Sequence, residues 1–542
     1  MPQKQIPDES RGEKQKSTSL ARREWLKMGG TAIGASMFGL LGGVGTSTAA
    51  TNTDIDLIDE VPDRAYRIDQ EAPDDASDAL PTTTASGYNN RSGDLTTAIE
   101  NASQNGRLLE LEPGGTYEMS SGVYNTGSIM GVVCDPDNPA TIYLTGGFTE
   151  DVAWPVGGAG DDELVMQGIE YDISEVDDAS ILTTYGAIQE YVLIQDVTLR
   201  GQRAKLAEGG DAVHTFLVNV ASGGEFLVRR VEFPDGGIEV PGEDGFDLNY
   251  AIPMASNRDH QGYGVWKDCY VAHFNNNGYY LSAGQQTGPN VLWDCVAENN
   301  ARGNMRLGHQ DVIVGGRSEV NSDYQKNEQP GTPVVNGNHE FDYVSGLTVI
   351  ADSDGWGGAG IQTRTDAEGG EIRKSVLHFK SGNSLPIRVD STAEVHLDME
   401  DMWILDESGG AKTFGISTIF PNPGTLDLGS NVHVDSNANV TFRIGSAGEL
   451  IGPDGTSYTS DVNASDVGVD ANLSESDFPN FHFGDNGGSD SEEPEDSEDS
   501  EEPEEPEEPK EPERPEQPEQ PEDSKDLKDL YDSCLEYLES PQ

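Results

Sequence analysis

Val192-Leu193-Ile194-Gln195-Asp196-Val197 is a short apolar run interrupted by a polar pair, and related runs recur along the chain. The clearest are Phe226-Leu227-Val228-Arg229-Arg230-Val231, Val265-Trp266-Lys267-Asp268-Cys269 and Val291-Leu292-Trp293-Asp294-Cys295, and weaker ones are Ile372-Arg373-Lys374-Ser375-Val376 and Val395-His396-Leu397-Asp398-Met399. The last residues of the first four copies are 34, 38 and 26 residues apart, and those of the two weaker copies are 23 apart. Repetition of one short unit at such intervals is typical of a solenoid, in which each coil contacts its neighbours.

Asparagine-rich turns follow two of these copies, at Asn275-Asn276-Asn277-Gly278 and at Asn299-Asn300. Asparagine tolerates left-handed backbone, and its side chain can form ladders along a stack of coils. A β-sandwich would also contain short strands and turns, but it does not predict repeats that keep the same phase. The sequence therefore indicates an all-β fold, built as a stack of parallel coils.

The region before the repeats contains a short helical pattern at Leu95-Thr96-Thr97-Ala98-Ile99, an apolar run at Leu108-Leu109-Glu110-Leu111 and the turn Pro113-Gly114-Gly115-Thr116-Tyr117. This order resembles the N-terminal entry of right-handed parallel β-helix proteins of the pectate-lyase-like superfamily. The resemblance implies a right-handed parallel β-helix over residues 92–452 that opens with a capping helix. Residues 51–91 would then form an N-terminal extension and residues 453–484 a C-terminal cap.

Residues 1–50 have the pattern of an export signal. Arg22-Arg23 precedes a Gly- and Ala-rich apolar stretch from Met28 to Val44, and Thr48-Ala49-Ala50 supplies small residues for cleavage. This pattern resembles a twin-arginine signal; the alternative is a buried helix of an N-terminal domain. No run of 18 apolar residues occurs later, so we expect a protein that is secreted, either free or held at the cell surface, without a membrane span.

The other end of the chain has a different composition. Residues 485–524 consist mainly of Glu, Asp, Pro and Ser, which predicts a disordered and extended linker. Residues 525–542 place apolar side chains on one face of a short amphipathic helix. Its apolar positions are Leu527, Leu530, Tyr531, Cys534, Leu535 and Leu538. This helix would either dock on a protein partner or pack back on its own domain.

The charge of the chain excludes several partners. Its 542 residues include 98 acidic and 33 basic side chains, which gives a formal net charge of −65. Nucleic-acid binding needs clustered Lys and Arg, so nucleic acid is not expected as a partner. Residues 51–484 alone hold 69 acidic and 22 basic residues, of which six are lysines. An acidic surface with few lysines resembles proteins of halophilic archaea, in which high salt screens the repulsion; the alternative is an ordinary acidic secreted protein.

Two of the four cysteines, Cys269 and Cys295, occupy the same position in consecutive repeats. Neighbouring parallel strands lie about 4.8 Å apart, a separation that a disulfide can just span. The two residues could equally be small apolar side chains stacked in the core. The sequence leaves both arrangements open.

A second strand in each coil supplies the candidate site. Side chains alternate between the two sides of a strand. If Val213, Phe246, Tyr279, Met305, Ile361 and Ile387 point inward, the residues that follow them form an outward row. The predicted row consists of His214, Asp247, Tyr280, Arg306, Gln362 and Arg388. The interval between Arg306 and Gln362 leaves room for one more coil, which we expect near Asn336 to His339.

In the superfamily that the chain resembles, this sheet carries the catalytic residues of the sugar-active members. A row with His, Tyr and Arg has the groups that a polysaccharide lyase needs, because a base removes the proton beside a uronate carboxylate while a cation neutralises that carboxylate. The candidate catalytic residues are His214, Tyr280, Arg306 and His309, with Tyr280 or His214 as the proton acceptor. The candidate substrate-binding residues are Asp247, Asn249, Arg258, His260, His339, Gln362 and Arg388. Asp211, Asp244 and Asp247 are candidate Ca²⁺ ligands, because Ca²⁺ prefers carboxylate oxygens.

The resemblance extends to the fold more than to the catalytic motifs. Gly308-His309-Gln310 interrupts the Gly-His-Gly triplet of the hydrolase branch, and the pectate-lyase signature is missing. A fold alone does not specify a function. The leading hypothesis is a secreted β-eliminating lyase that acts on a uronate-containing polysaccharide. The alternatives are a glycoside hydrolase and a non-catalytic cell-surface protein that binds glycans or a protein partner.

Overall fold

The computed structural model describes residues 54–483, with gaps at 125, 146–151, 157–161, 177–179, 185–186, 203–213, 238–251, 258, 283–286, 322–330, 338, 353–358, 365–366, 382–384, 390–394, 408–412, 417–423, 436–440 and 445–447. The described chain forms a parallel β-solenoid, which confirms the predicted fold class. The predicted signal (1–50), linker (485–524) and terminal helix (525–542) lie outside the described residues.

Each coil passes through three parallel sheets, called here the first, second and third sheet in chain order. The first sheet contains Thr82–Thr84, Leu108–Glu110, Ile129–Val133, Tyr263–Lys267, Asn290–Trp293, Val312–Val314, His339–Ser345, Gly424–Leu428 and Gly448–Ile451. The second sheet contains Thr116–Met119, Ala140–Leu144, Tyr270–Ala272, Val296–Glu298, Arg317–Asn321, Thr348–Asp352, Val432–Asp435 and Asp470–Ala471. Five longer strands bend through both sheets: Glu163–Asp172, Tyr191–Arg200, Glu225–Phe233, Ala367–Phe379 and Val395–Asp406.

The third sheet has 12 strands within the described part of the chain. They are Val152–Val156, Ser180–Thr184, His214–Leu217, Ile252–Ala255, Asn277–Tyr280, Gly303–Leu307, Thr332–Asn336, Ala359–Thr363, Leu385–Val389, Thr413–Ile416, Thr441–Ile444 and Val462–Asn463. The last strand pairs antiparallel, as does Ser457–Tyr458 with Gly448–Ile451 of the first sheet. These two antiparallel pairs end the regular stacking at the C-terminal side.

Short helices occur at the two ends of the solenoid and in the N-terminal segment. The α-helices are Asp63–Glu71, Ala76–Ala79 and Leu95–Gln104, and the 3₁₀ helices are Ile58–Glu60, Ala464–Val467 and Glu475–Asp477. Leu95–Gln104 is the capping helix that the sequence predicts. The Asp94 carboxylate accepts a hydrogen bond from the Thr96 N–H (2.9 Å), which satisfies one of the free N–H groups at the helix start. None of the helices in the described ranges has the length and apolar character needed to cross a bilayer.

The bend between the first and second sheets explains the polar pair in the repeat. Asp196, Asp268 and Asp294 stand at this bend with φ angles of 56°, 52° and 51°. Left-handed backbone is costly for most residues and least so for Gly, Asn and Asp. Arg230 has the same conformation (φ 51°), and its guanidinium binds both carboxylate oxygens of Asp196 on the preceding coil, at 2.6 and 2.9 Å. The bend therefore requires left-handed backbone, which the repeated aspartates adopt at low cost and which Arg230 adopts as well.

The interior of the solenoid is filled by apolar side chains stacked coil upon coil. Trp266 lies edge-on between Phe226 and Tyr279, with ring centroids 5.2 and 6.5 Å away. Cys269 and Cys295 are buried free thiols, and so is Cys134. The Cys269 and Cys295 thiols each donate to backbone carbonyl groups. The stacked-thiol arrangement is therefore the one observed.

The asparagine turns form the ladder that the sequence suggests. The Asn300 side-chain oxygen accepts from the Phe274 N–H of the preceding coil (3.0 Å). The Asn304 side-chain oxygen accepts from the Asn300 N–H (3.0 Å), and its amide nitrogen donates to the Glu319 carbonyl of the next coil (2.8 Å). These contacts tie consecutive coils together where each chain turns from the second sheet into the third.

Residues 54–80, called here the N-terminal segment, run along the outside of the first sheet. Asp54–Asp56 pairs in parallel with Asn480–His482, so the two ends of the described chain lie side by side. Apolar side chains of the segment pack against the outer surface of the first sheet and form a second core with it. The outward side of the first sheet is therefore covered, whereas the third sheet forms a separate face of the solenoid.

A buried charged group fastens this segment. Asp69 is 4% exposed, and its carboxylate binds the Arg229 guanidinium (3.2 Å) and the Lys267 ammonium (2.9 Å). Gln195 and Arg229 also donate to the Pro73 carbonyl. Gln195, Arg229 and Lys267 are in register on consecutive strands, so one outward column of the first sheet binds the segment.

Candidate ligand-binding face on the third sheet

The outward row of the third sheet is established by strand register. Tyr280 pairs with Arg306, Arg306 with Val335, Val335 with Gln362, and Gln362 with Arg388. The residues before them, including Tyr279 and Met305, are buried in the core as expected. Four of the six predicted row members therefore share one line on the outside of the solenoid.

His214 is not in this row, so that part of the prediction is wrong. Leu217 takes the row position, because Leu217 pairs with Ala255 and Ala255 with Tyr280, whereas His214 pairs with Ile252. The strand starts three residues later than the sequence pattern suggests, and an odd shift moves a side chain to the other side of a strand. Burial lowers the pKa of His214 to about 4, so its imidazole is neutral at neutral pH.

The coil between Arg306 and Gln362 exists, but it is centred earlier than predicted. Its third-sheet strand is Thr332–Asn336, and Val335 is its row member. Asn336 pairs with Leu307 and Thr363, and its side-chain amide donates to the His339 carbonyl (3.0 Å). The predicted range therefore runs from Asn336, the last residue of this strand, to His339, the first residue of the first-sheet strand His339–Ser345.

Several predicted ligands fall on parts of the chain that are not described. They are the substrate-binding candidates Asp247, Asn249 and Arg258 and the Ca²⁺ candidates Asp211, Asp244 and Asp247. The third-sheet strand described for this coil is Ile252–Ala255. Within the described residues, one other group has metal-ligating types close together, namely His396, Asp398 and Asp427 of the first sheet, with ligand atoms within 4.8 Å of one another.

His260 is placed where it cannot bind a polysaccharide. Its side chain is fully buried, and its Nδ1 lies 3.4 Å from the Val220 N–H. Its ring packs against Phe226 at 5.3 Å, and burial lowers its pKa to about 4. His260 is therefore a structural residue that links two turns, and the substrate-binding prediction for it is wrong.

Tyr280 and Arg306 form the central contact of the row. The guanidinium carbon of Arg306 lies 4.7 Å from the centre of the Tyr280 ring, which is a cation–π contact. Both side chains are half-buried. The contact orients the guanidinium on the outer face while leaving N–H groups available to an anion.

Sequence analysis missed two residues beside this contact, Ser282 and Gly337. A Cβ atom at Gly337 would stand 2.3 Å from the Ser282 Oγ and 2.5 Å from the Arg306 Nε. The glycine therefore allows both side chains to lie against the backbone at this point. Ser282 follows Tyr280 by two residues, as Gly337 follows Val335, so the period of two could have identified both once the strand Thr332–Asn336 was placed.

His309 lies on the turn after the third-sheet strand Gly303–Leu307, and His339 is the first residue of the first-sheet strand His339–Ser345. Their ring centroids are 6.0 Å apart and nearly perpendicular. His339 Nδ1 lies 3.9 Å from a Glu368 carboxylate oxygen. Both histidines are half-buried. The structure thus brings the two predicted histidines into contact, although they belong to neighbouring coils.

Buried Asp311 holds the turn that carries His309. One of its carboxylate oxygens accepts from the Gly308 N–H (2.7 Å), and the other accepts from the Asn290 N–H and side-chain amide (2.8 and 3.1 Å). Burial raises the pKa of Asp311 to about 7, although these N–H groups oppose the rise. The position of His309 therefore depends on a carboxyl group that titrates near neutral pH.

We predict that Asp311→Asn flattens the dependence of stability on pH. A carboxyl whose pKa is about 4 when unfolded and about 7 when folded binds its proton more tightly in the folded state. Its contribution to stability is therefore present below about pH 4 and is lost as the pH rises to about 7. Chemical unfolding of both proteins across this range should show a falling free energy of unfolding for the wild type and a smaller fall for the variant. Equal slopes would contradict the assignment.

No protein-family model and no curated protein matches the chain. Similar solved structures include tailspike protein 2 of the Escherichia coli O157:H7 bacteriophage CAB120, with 12% identity and a TM-score of 0.35 over 65% of this chain and 45% of that one. The chain thus matches less than half of the tailspike protein. Another is the A-module of a mannuronan C-5 epimerase from Azotobacter vinelandii, with 11% identity and a TM-score of 0.35 over 66% of this chain and 89% of the module.

Proposed function

We propose that the third-sheet face binds an acidic polysaccharide and cleaves it by β-elimination. The observation that carries the proposal is the Arg306 guanidinium held against the Tyr280 ring in an outward row. The chain has 98 acidic and 33 basic residues, yet this row presents two arginines, Arg306 and Arg388, three rungs apart. Two cations in one outward row of so acidic a protein favour a ligand with repeated negative charges, such as a polyuronate.

The chemistry assigns distinct roles to the residues of the row. Arg306 would neutralise the uronate carboxylate and so stabilise the carbanion character that develops on the adjacent carbon. Tyr280 or His309 would accept the proton from that carbon as the C–H bond breaks. The electron pair forms a carbon–carbon double bond while the glycosidic C–O bond breaks, and the departing oxygen takes up a proton. Gln362 and Arg388 would bind neighbouring sugar units along the row.

The test measures two products at once. Purified protein in molar salt would be mixed with a panel of uronate-containing and neutral polysaccharides, with and without Ca²⁺. We expect ultraviolet absorbance from the new conjugated double bond together with new reducing ends on at least one uronate polymer. Reducing ends without that absorbance would show hydrolysis and would contradict elimination. Inactivity towards every polymer would contradict the proposal that the protein is an enzyme.

Binding without cleavage is the second candidate function. A buried apolar cluster of Leu217, Ile252 and Ala255 packs against the half-buried Tyr280 of the row. The Tyr280 ring is therefore held at the edge of this cluster, where the apolar face of a sugar ring can stack on it. Retention of one polymer in a pull-down, together with the absence of both products, would support this candidate.

A further inference from the structure

Two buried polar atoms beside the row have no hydrogen-bond partner among the described residues. They are the Oγ of Ser282, whose residue is 3% exposed, and the Nε of Arg306. An unpaired buried donor costs free energy, because it has lost its hydrogen bonds to water. Unsatisfied groups of this kind call for a physical explanation, and beside an outward row that explanation can be a ligand.

Both atoms converge on one point. They lie 2.3 and 2.5 Å from the position that a Cβ atom of Gly337 would occupy, so they are close neighbours across three consecutive coils. The Gly337 N–H is already used, since it donates to the Leu307 carbonyl (2.9 Å). The available groups are therefore one hydroxyl and one guanidinium N–H, and the guanidinium carries a positive charge.

We infer that Ser282 and Arg306 form a carboxylate-binding subsite in which Ser282 determines specificity for a uronic acid. A hydroxyl and a guanidinium N–H can donate to the two oxygens of one carboxylate, and hydrogen bonds between charged groups are stronger than those between neutral groups. A neutral sugar could accept hydrogen bonds from both groups but would not neutralise the positive charge of the guanidinium. This inference deepens the proposed function and rests on it for the polymer, whereas the subsite itself is testable with free sugars.

The experiment compares uronic acids with their methyl esters. Binding of galacturonate, glucuronate and mannuronate, and of each ester, would be measured by ligand-observed NMR on the full chain. For Ser282→Ala we expect roughly tenfold weaker binding of the preferred uronate, which corresponds to one hydrogen bond to a charged group. Ester binding should be the same in the variant and the wild type.

The chain offers a matched control for the serine. Ser345 is also a buried serine whose Oγ has no partner in the described part of the chain, but it lies on the first sheet. Ser345→Ala should leave uronate binding unchanged. Two results would overturn the proposed subsite. One is a Ser282→Ala variant that binds the uronate as tightly as the wild type does. The other is a variant whose affinity for the ester falls as much as its affinity for the uronate.

Gly337→Ala tests the same subsite through its geometry. The added methyl group would displace both the Ser282 Oγ and the Arg306 Nε, so discrimination between acid and ester should fall. Gly452→Ala is the control, because a Cβ atom there makes only ordinary contacts at 3.4 Å. A wild type that binds no uronate better than its ester overturns the subsite whatever the lyase assay shows. Intact discrimination without cleavage supports the subsite and contradicts only the enzyme.

Discussion

Arg306→Ala is expected to lower the rate of double-bond formation by a factor on the order of 10² to 10³, the loss seen when one preorganised group that stabilises developing charge is removed. Arg306 is the row residue whose guanidinium is fixed, at 4.7 Å from the Tyr280 ring. Without it, negative charge that develops beside the uronate carboxylate has no cation at this rung. The measurement is the initial rate of absorbance increase with the most active polymer, below and above saturation.

Two further variants distinguish this role from a general effect on folding. Arg306→Lys retains the charge but loses the planar N–H groups, so it should recover only part of the rate. Arg200→Ala removes an exposed arginine that pairs with Glu170 on another face, and it should leave the rate unchanged. Full activity of Arg306→Ala in a folded protein would place the chemistry elsewhere.

The row shows how far the sequence alone determines the candidate site. Tyr280, Arg306, Gln362 and Arg388 were predictable, because the apolar residue before each one is buried and side chains alternate along a strand. The same alternation gave a wrong prediction for His214, because the strand there is shifted by three residues from its expected position and Leu217 takes the place in the row. Where the interval between repeats is long, several strand positions satisfy the pattern, and an odd shift reverses the side that every residue faces.

The covered side of the first sheet could not be predicted in the same way. Gln195, Arg229 and Lys267 have the polar character of solvent-facing positions. Their partners in the N-terminal segment are 121 to 198 residues away in the sequence. Local patterning contains no information about such a contact. The burial of these polar side chains can be inferred only once the N-terminal segment is known to pack on the first sheet.

Asp69→Ala is expected to lower the free energy of unfolding strongly, because Asp69 is a buried charge at this contact. The carboxylate is 4% exposed and pairs with both Arg229 and Lys267. Removing the carboxylate leaves the buried Arg229 guanidinium, among the described ion pairs, with only its longer contact to the exposed Asp74 carboxylate (3.4 Å), and loss of one partner of a buried pair costs about 3–5 kcal/mol. The N-terminal segment would lose the contact that holds its helix, Asp63–Glu71, on the first sheet.

Glu71 of the same helix is the matched control for Asp69. It forms an exposed i,i+4 pair with Arg67 at 2.8 Å, and such pairs contribute about 0.3–0.5 kcal/mol. Chemical unfolding in molar salt should therefore show a large loss of unfolding free energy for Asp69→Ala and almost none for Glu71→Ala. High salt screens the exposed pair but hardly affects the buried one, so the difference should persist as the salt is raised. Equal losses in the two variants would mean that the segment is not held by its buried charges, and that its apolar contacts with the first sheet fasten it instead.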